Sequence, residues 1–448
     1  MNKKVYIETL GCQMNKSDTE RILGMLEYSG YTETAEPEKA DLLIINTCSI
    51  RAASEDKVFS HLGVWSKWKR SGRNIKIAIC GCVAQQKKEQ IFKRMPCVDL
   101  IFGTHNIYEL PELLKRLDSE GKVCSVLNKP YESDKEFEIK RQEGISAWLP
   151  IIEGCDYFCT YCVVPYTRGR QRSRLPEDII KEAKDIAKQG YKEIILLGQT
   201  VDSYGRDFKD RKYTLSDLLK ELNKIDGILR IRFVTSHPAD ITDELIETVK
   251  ELDKVCEYFH IPMQSGSTDV LAKMKRRYTR EQYIELVNKI KSQIPDVAIT
   301  TDFIAGFPGE TDEQFEDTLS IIDLINFDQC NTAAYSERKQ TPAAVWKNQV
   351  PKEIRKQRLN ILNNRVKEST KKSNDKYIGR TMEVLAENFN ENNGEIILYG
   401  RTRNNKIVHF SGSKELISKL VNVEIKESSL WCLKGYIIYT TPKTNLGF

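Results

Sequence analysis

The sequence predicts an α/β protein with an N-terminal open parallel α/β sheet domain, a central partial (β/α)6 barrel and a small C-terminal β-barrel. Three observations lead to this fold class. Short apolar runs alternate with helical patterns over residues 1–118, which indicates parallel strands covered by helices. Six more such pairs over residues 142–371 are too few for a complete eight-fold barrel. From residue 374 to 441, short strand patterns are joined by polar turns.

The N-terminal part contains four apolar runs that predict buried strands. The segment from Ser17 to Glu20 has the capping-box pattern, so a helix is expected to start there, and helical patterns also follow residues 50 and 83. Residues 119–141 are polar, charged and turn-rich, so they are expected to form a linker. The four predicted strands are 5–9, 42–45, 75–79 and 98–102.

The rest of the chain continues the same alternation and then changes to short strands. Capping boxes that begin at Thr279 and Thr311 open two helices, and residues 352–372 form a long basic helical stretch. Asn392-Asn393-Gly394 is a hairpin signal. The predicted central strands are 148–153, 193–197, 229–234, 258–263, 297–304 and 329–335, and the C-terminal ones are 381–386, 395–399, 406–410, 420–425 and 435–439.

The composition is that of a soluble globular protein. Of its 448 residues, 40% are hydrophobic and 30% are charged, and the net charge is +5. No run approaches the roughly 20 apolar residues that span a bilayer, and the start lacks a signal-peptide pattern. We therefore expect a cytoplasmic protein without a membrane partner. Twelve cysteines in that reducing compartment favour metal or redox chemistry over disulfides.

Three cysteines within eight residues are the most informative motif. Cys155, Cys159 and Cys162 have the spacing C-x3-C-x2-C just after the first central strand, where βα barrels place their active sites. An iron–sulfur cube has four irons held by thiolates, so three cysteines leave one iron open for chemistry. The alternative is a zinc site with a distant fourth ligand, because the apolar residues 163–166 offer none nearby.

A second trio lies in the N-terminal part. Cys12, Cys48 and Cys82 each follow a predicted strand by two or three residues, and parallel strands bring their carboxyl ends to one edge of a sheet. Thiolates held in this way would bind a second cluster with one open iron. Cys80 should point to the opposite face of the pleat and is expected in the core. The isolated cysteines are expected to be packing residues: Cys97, Cys124, Cys256, Cys330 and Cys432.

The motifs together resemble those of the radical S-adenosylmethionine (SAM) methylthiotransferase family. The likeness covers nearly the whole chain and implies a radical SAM barrel in the centre and a TRAM-like RNA-binding barrel at the end. The segments that carry it are Gly11-Cys-Gln-Met-Asn15, Asn46-Thr-Cys-Ser-Ile-Arg51, Gly81-Cys-Val-Ala84, Cys155 to Arg174, Ile261-Pro-Met-Gln-Ser-Gly-Ser267, Asp302-Phe-Ile-Ala-Gly-Phe-Pro-Gly-Glu-Thr311 and Gly400-Arg-Thr-Arg-Asn-Asn-Lys406.

The resemblance implies two 4Fe-4S clusters and SAM as cofactors. Cys155, Cys159 and Cys162 would hold the SAM-binding cluster, at which SAM is cleaved to an adenosyl radical. Cys12, Cys48 and Cys82 would hold an auxiliary cluster that carries sulfur, which a second SAM methylates. Cys80 departs from the family pattern, and Cys82 is preferred as ligand because it directly precedes Val83-Ala84.

The reaction implied is the addition of a methylthio group to C2 of N6-isopentenyladenosine at position 37 of tRNA, beside the anticodon. Gly11-Cys-Gln-Met-Asn15 favours this type over methylthiotransferases acting on threonylcarbamoyladenosine tRNA or on a ribosomal protein. The implied partners are tRNA, an electron donor such as flavodoxin or ferredoxin, and a sulfur donor. The non-enzymatic alternative is a zinc-containing RNA-binding protein.

Further residues are expected around the cofactor and the RNA. Candidate SAM contacts lie in the cluster motif and at strand ends: Tyr161, Gln199, Ser236, Gln264 and Asp302. Arginines at every second residue would line one face of an extended segment and hold phosphate or the SAM carboxylate near the reaction centre. The predicted RNA contacts are Arg168, Arg170, Arg172, Arg174, Arg401, Arg403 and Lys406.

Overall fold

The protein, here a computed structural model, is described for residues 3–49, 52–129, 137–210, 212–392 and 395–438. The central two residues of the predicted hairpin, Asn393 and Gly394, lie outside these ranges, as does the predicted strand end at Tyr439. Within the ranges, no helix combines the length and the apolar character that a membrane span requires.

The N-terminal part is a six-stranded parallel sheet with the strand order β2-β1-β3-β4-β5-β6. One apolar layer lies under α1 and α5, and a second lies under α2 on the opposite face. The strands are β1 Lys3–Leu10, β2 Tyr31–Glu33, β3 Leu42–Thr47, β4 Lys76–Gly81, β5 Leu100–Phe102 and β6 Val123–Ser125. The helices are α1 Gln13–Tyr28, α2 Ala52–Arg70, α3 Cys82–Lys87, α4 Gln90–Arg94 and α5 Leu110–Glu120.

Two expectations for this part are corrected. Helix α1 begins at Gln13, four residues before the predicted start, because Cys12 and Asn15 form the capping box. Strand β6 pairs with β5, so residues 123–125 of the predicted linker belong to the sheet, and residues 119–120 belong to α5. Both β2 and β6 are three-residue edge strands, too short to leave a periodic signal in the sequence.

The central part has six parallel strands in two three-stranded sheets, β7-β10-β11 and β12-β13-β14, with a bridge between Ile231 and Val255 joining them. Helices fill the outer layer, which confirms the predicted open barrel. The strands, including the hairpin β8-β9, are β7 Ser146–Pro150, β8 Ile152–Glu153, β9 Arg172–Ser173, β10 Glu193–Leu197, β11 Arg230–Phe233, β12 Tyr258–His260, β13 Ala298–Ala305 and β14 Gln329–Ala334. The helices are α6 Val164–Thr167, α7 Pro176–Lys188, α8 Leu215–Asn223, α9 Asp243–Glu251, α10 Thr268–Lys273, α11 Arg280–Gln293, α12 Asp312–Ile325 and α13 Lys352–Asp375.

The C-terminal part is a closed five-stranded barrel with the strand order β15-β16-β17-β19-β18, which confirms the predicted small β-barrel. Alternate residues such as Val384, Leu398, Val408 and Val423 point inward and form its apolar core. The strands are β15 Thr381–Asn392, β16 Glu395–Thr402, β17 Ile407–Ser411, β18 Leu420–Ser428 and β19 Leu433–Ile437.

Buried arginines join this barrel to the central part. Arg232 forms an ion pair with Glu193 at 2.6 Å and donates to the carbonyl oxygens of Thr402 and Arg403, both at 2.6 Å. Arg230 is fully buried and donates to the carbonyl of Arg401. The two guanidinium groups therefore satisfy backbone carbonyls that the interface removes from water.

Two of the predicted RNA contacts are used in the same interface. Lys406 is buried and pairs with Asp328 at 2.9 Å, and Arg403 pairs with Glu257 at 2.7 Å. Arg401 pairs with Glu387 of its own barrel at 2.5 Å. The charges of Arg403 and Lys406 are used between the two parts of the protein, so the structure lends their predicted RNA contacts no support, and RNA binding by these residues stays a prediction.

Replacing Arg232 with Ala should lower the free energy of unfolding by about 3–5 kcal/mol, because Glu193 is left as an uncompensated buried charge. Urea denaturation measures this loss. The control is Lys426→Ala, which removes an exposed pair with Glu424 and should cost about 1 kcal/mol or less. Equal losses for the two variants would contradict the role of the buried pair.

Candidate active site at the junction of two α/β units

The loop that carries Cys155, Cys159 and Cys162 is attached to the central barrel at several points. Gly154, just before it, has a φ of +75°, and a Cβ there would lie 2.1 Å from the Arg170 carbonyl oxygen. The side-chain oxygen of Gln199 accepts the Gly154 N–H at 2.6 Å. Glycine is therefore required at the entry to the loop, and Gln199 supports that turn.

The middle of the loop is attached through Thr160. Its N–H donates to the Met274 carbonyl at 3.1 Å, and its own carbonyl accepts the Ala343 N–H at 2.9 Å. Phe158 has a φ of +48°, a strained conformation for a non-glycine residue. The surrounding contacts fix the conformation of the short loop that carries the three cysteines, including the strained residue.

Hydrogen-bond donors surround the sulfur atoms of this loop. Cys155 accepts bonds from the Tyr157 N–H and the Thr200 hydroxyl, and Cys162 accepts one from the Val164 N–H. Arg276 lies with its Nη1 at 3.6 Å from the Cys159 Sγ. Burial raises the pKa of Cys155, and together with the neighbouring thiols it raises that of Cys162 to about 12. Partly buried sulfurs that accept hydrogen bonds from N–H and O–H groups fit thiolate ligands of an iron–sulfur cluster.

The cysteines of the N-terminal sheet lie at one edge, as predicted. The strand ends are in register, because Leu10 pairs with Thr47 and Thr47 pairs with Gly81. Gly81 has a φ of +84°, and a Cβ there would lie 2.4 Å from the Thr47 carbonyl oxygen. The three cysteines follow these aligned ends: Cys12, Cys48 and Cys82.

Within this second trio, the electrostatic surroundings of Cys12 favour a thiolate. The pKa of Cys12 is lowered to about 6, chiefly by a hydrogen bond with Cys48, and further by Arg168 and the N–H groups of Met14 and Asn15. Cys12 caps α1, where the helix dipole stabilises negative charge. Burial raises the pKa of Cys82, while Arg168 opposes the shift.

Cys80 lies on the opposite face of β4, in the apolar layer under α1 and α5. Burial raises its pKa well above the usual value. Its surroundings agree with the predicted core position and separate it from the edge where Cys82 lies.

The ligand geometry of both trios differs from that of a single-ion site. Among the described residues, no three His, Cys, Asp or Glu side chains converge as ligands of one metal ion do. In a four-iron cluster each cysteine binds its own iron, so the sulfurs need not share one point. Each trio consists of three cysteine thiols, which is the donor type that holds iron–sulfur clusters.

A polar network that the sequence did not reveal fixes the start of α1 against the end of β3. Asn15 donates to the Asn46 side-chain oxygen and to the Thr47 carbonyl, both at 3.0 Å. Asn46 in turn donates to the Asn15 carbonyl at 2.8 Å and to the Thr19 hydroxyl at 3.0 Å. The two asparagines orient the segments that precede Cys48 and follow Cys12.

Arg168 links the two cysteine sites. Its guanidinium is 4% exposed and pairs with Asp18 of α1 at 2.5 Å. Burial alone would lower the pKa of Arg168, but Asp18, Cys82 and Glu153 outweigh it and keep the group charged. Next to it, the Thr104 hydroxyl donates to the Thr167 carbonyl at 2.5 Å. The segment directly after the central cysteines is therefore fixed against the N-terminal sheet.

The predicted alternation of four arginines on one face is wrong. Residues up to Thr167 form helix α6, and Gly169 has a φ of +78°, so the chain is not extended there. Arg168 is directed into the protein, and Arg172 and Arg174 pair with glutamates at 2.9 Å and 2.7 Å. Arg170 remains well exposed beside Asp156.

Buried polar groups without partners lie at the carboxyl rim of the central strands. Within the described residues, the Ser236 hydroxyl and Nε2 of His237 make no hydrogen bond. Nδ1 of His237 accepts the Ala239 N–H at 3.2 Å, and burial with the nearby arginines lowers its pKa to about 2. The neutral ring therefore carries its hydrogen on Nε2. Such groups are costly without a partner, and a bound SAM would provide one.

The other predicted SAM contacts lie at the same rim. Gln264 has a φ of +76° and donates its N–H to the Asp302 carbonyl at 2.8 Å. The Asp302 carboxylate accepts from Asn331 at 2.9 Å and lies 3.3 Å from Nε2 of His260. Tyr161 packs against the apolar cluster of Phe307 and Trp346.

Curated proteins similar to this chain are named tRNA-2-methylthio-N(6)-dimethylallyladenosine synthase. That of Geobacillus kaustophilus is 49% identical over 446 residues, covering 99% of this chain and 84% of its own. Those of Acetivibrio thermocellus and Clostridium botulinum are 47% and 46% identical, covering 97% and 98% of this chain and 91% and 96% of their own. Identity at this level over nearly complete chains shows the family.

The chain belongs to the family of these synthases. Its three parts match three described families: residues 4–103 the Uncharacterized protein family UPF0004, residues 149–322 the Radical SAM superfamily, and residues 375–438 the TRAM domain.

Solved structures support the fold. A radical SAM methyltransferase, TsrM from Kitasatospora setae with cobalamin and a [4Fe-4S] cluster, has a TM-score of 0.58 at 14% identity over 77% of this chain and 74% of its own. The cobalamin-dependent radical enzyme OxsB has a TM-score of 0.51 at 15% identity, covering 79% and 56%. At these identities the likeness concerns the fold alone.

Within this family fold, two contacts of the central cysteine loop were not predicted. Arg276 and Thr200 lie far from the C-x3-C-x2-C motif in sequence, and tertiary packing alone brings them to Cys159 and Cys155. In the sequence, Arg276 is marked only by the basic run in which it lies. Such a run is typical of an ordinary solvated surface and does not indicate a contact with a cysteine.

Arg276→Gln should lower the reduction potential of the cluster that the central cysteines are predicted to hold, because a buried positive charge beside Cys159 is removed. It also removes one of the two donors to the Pro262 carbonyl, the other being the Tyr278 hydroxyl at 3.1 Å, and should cost about 1 kcal/mol of stability. A redox titration followed by electron paramagnetic resonance measures the potential. Arg116→Gln removes an exposed pair with Glu120 and is the control; identical potentials in the two variants would contradict the assignment.

Proposed function

We propose that this protein is a radical SAM tRNA methylthiotransferase that adds a methylthio group to C2 of N6-isopentenyladenosine at position 37 of tRNA. The observation that carries the proposal is the pair of cysteine trios at the apposed edges of two parallel α/β units. Helix α3, which begins at Cys82, packs against α6, which follows Cys162. Neither trio alone would distinguish this reaction from other radical SAM chemistry.

The central residues Cys155, Cys159 and Cys162 are proposed to hold the SAM-binding 4Fe-4S cluster, and Cys12, Cys48 and Cys82 the auxiliary one. When bound, the clusters and SAM supply the one-electron cleavage, the sulfur and the methyl group. They are needed because the C2–H of the adenine is too weakly acidic for a side-chain base to remove its proton. Arg168 belongs to the central part of the chain but supports the auxiliary site of the N-terminal part. Its charge favours thiolate at Cys82 and Cys12, and its pair with Asp18 holds the two sites together.

The rim of the central barrel is proposed to bind SAM. The Ser236 hydroxyl and His237 Nε2–H are buried donors awaiting an acceptor, which suits the carboxylate or the ribose of SAM. Gln264 and Asp302 are joined by a backbone hydrogen bond at the ends of later strands, and Tyr161 packs against the apolar cluster that contains Phe307. Gln199 acts mainly by bracing the Gly154 turn.

The names of the relatives refer to dimethylallyladenosine, the same modification as isopentenyladenosine, and thereby favour this substrate over threonylcarbamoyladenosine or a ribosomal protein. The proposed partners are the anticodon loop of tRNA, a reductant such as flavodoxin or ferredoxin, and a sulfur donor. A cytoplasmic location follows for an enzyme that acts on tRNA with a low-potential reductant.

Nucleoside mass spectrometry of tRNA from a strain lacking the protein tests the substrate directly. We expect the methylthio-isopentenyladenosine signal to disappear and the isopentenyladenosine signal to rise, and both to recover with the wild-type gene. An unchanged modification profile would refute the proposal. Anaerobic reconstitution that yields zinc and no iron would instead support the zinc-containing RNA-binding alternative.

Cys159→Ala should abolish release of 5′-deoxyadenosine from SAM, because the SAM-binding cluster loses a ligand, while iron at the N-terminal trio is retained. Chromatography of the nucleoside products and iron analysis measure both. Cys256→Ala, at a buried cysteine outside either trio, is the control and should retain full cleavage. Cleavage retained by Cys159→Ala would contradict the assignment.

Cys82→Ala should preserve 5′-deoxyadenosine formation but stop methylthio transfer, because only the auxiliary site is disrupted. Cys80→Ala is the matched control two residues away, on the apolar face of β4, and should retain transfer. Assay of both products on isopentenyladenosine-containing tRNA makes the comparison. If Cys80→Ala rather than Cys82→Ala loses transfer, the choice of ligand is wrong.

A further inference from the structure

Two segments bracket the central cysteine loop at Thr160 and carry exposed cations. Residues 273–277 contact Thr160 through Lys273, whose carbonyl accepts the Thr160 hydroxyl at 2.9 Å, and residues 341–347 contact it through Ala343. Trp346 packs on Phe307 with ring centroids 5.5 Å apart, which fixes the second segment. The exposed cations of the two segments are Lys273, Lys275, Arg277 and Lys347, named here the cationic collar.

The charges of the cationic collar are not neutralised within the protein. None of its four members forms an ion pair with a residue in the described ranges. The nearby acidic groups are already paired with other cations: Asp156 with Arg170 at 3.3 Å, Asp240 with Arg206 at 2.5 Å and Glu337 with Arg355 at 3.4 Å. Unpaired positive charge beside a catalytic loop attracts an anionic partner.

Aromatic rings lie among these cations. Arg277 stands over the ring of Tyr157 at 5.3 Å, and Arg170 stands over that of Phe158 at 4.4 Å. Both rings belong to the C-x3-C segment itself and are partly exposed. Guanidinium planes and aromatic faces are the groups on which unstacked RNA bases are bound.

We propose that the cationic collar binds the phosphates on either side of the target nucleotide, with Arg277 and Arg170 beside the neighbouring bases. The proposal rests on the proposed function, since it takes the tRNA loop as the anionic partner. A base that leaves its stack stays tethered to its own phosphates, so these phosphates must lie close to the loop that holds the reaction site. As RNA-contacting residues, the members of the cationic collar are proposed in place of Arg168, Arg403 and Lys406, whose charges are paired inside the protein.

An acidic electron-transfer protein is the other partner that such a surface could attract. The Tyr157 ring is itself stacked on His237, with ring centroids 3.7 Å apart, so the guanidinium groups of Arg277 and Arg170 are the planar groups offered to a base. These planar groups favour RNA, because a folded acidic protein does not use them for stacking. The experiment therefore measures RNA binding and reduction separately.

The test compares the triple variant Lys273→Gln, Lys275→Gln, Arg277→Gln with the control Lys93→Gln, Lys115→Gln, Lys184→Gln, which removes three exposed lysines elsewhere. Each reconstituted protein is titrated with an anticodon stem-loop RNA containing isopentenyladenosine at several salt concentrations. For the collar variant we expect at least tenfold weaker binding and a salt slope smaller in magnitude by roughly 2, as expected for three lost contacts to a single strand. The control should match the wild type.

Release of 5′-deoxyadenosine by dithionite-reduced protein without RNA should be unchanged in the collar variant, which shows that the cofactor site is intact. Lys347→Glu, on the second segment, should independently weaken RNA binding. Unchanged affinity and salt slope in both variants would overturn the proposal, as would a defect confined to reduction by flavodoxin. Loss of RNA binding in the collar variants would support the cationic collar as the RNA-binding surface. Failure of the wild-type protein to modify the RNA would count against the proposed function alone.

Discussion

The buried ion pair between Arg168 and Asp18 is the interaction on which the arrangement of the two cysteine sites depends. Arg168 lies six residues after Cys162, and Asp18 lies six residues after Cys12, so the pair joins the two motifs almost directly. Each charge is buried and would be unfavourable alone. Folding of the central loop and docking of the N-terminal sheet are therefore coupled, because neither charge is compensated until both parts are in place.

The same principle recurs at the other end of the molecule. Arg230 and Arg232 donate to carbonyl oxygens of the C-terminal barrel, while Arg403 and Lys406 pair with acidic groups of the central part. Buried cations thus define both interfaces of the central barrel. The four exposed cations of the cationic collar, which form no ion pair with a described residue, lie beside the loop of the central cysteines, and their position indicates where an anionic substrate approaches.

Much of the fold followed from local patterns. The strand Glu193–Leu197 matches its prediction, and the other strands of the barrels were predicted to within a few residues except where β15 and β16 run longer. The apolar runs of central strands such as β10 and β11 are buried on both faces and leave a strong signal, while the C-terminal strands alternate between buried and exposed residues. The start of α1 was misplaced, because its cap is Cys12, an uncommon capping residue whose helix-starting role depends on Asn15. The edge strand Val123–Ser125 exists only because β5 is there to pair with it.

The sequence by itself determined the chemistry: the C-x3-C-x2-C spacing and the position of Cys12, Cys48 and Cys82 after parallel strands require only local order and the geometry of a sheet. Tertiary structure decided which charges face inward. Arginines at every second residue signal one exposed face only if the chain is extended, and helix α6 with Gly169 breaks that condition. Whether an arginine binds a phosphate or a buried carboxylate depends on what packs against it, and residues distant in sequence supply that partner.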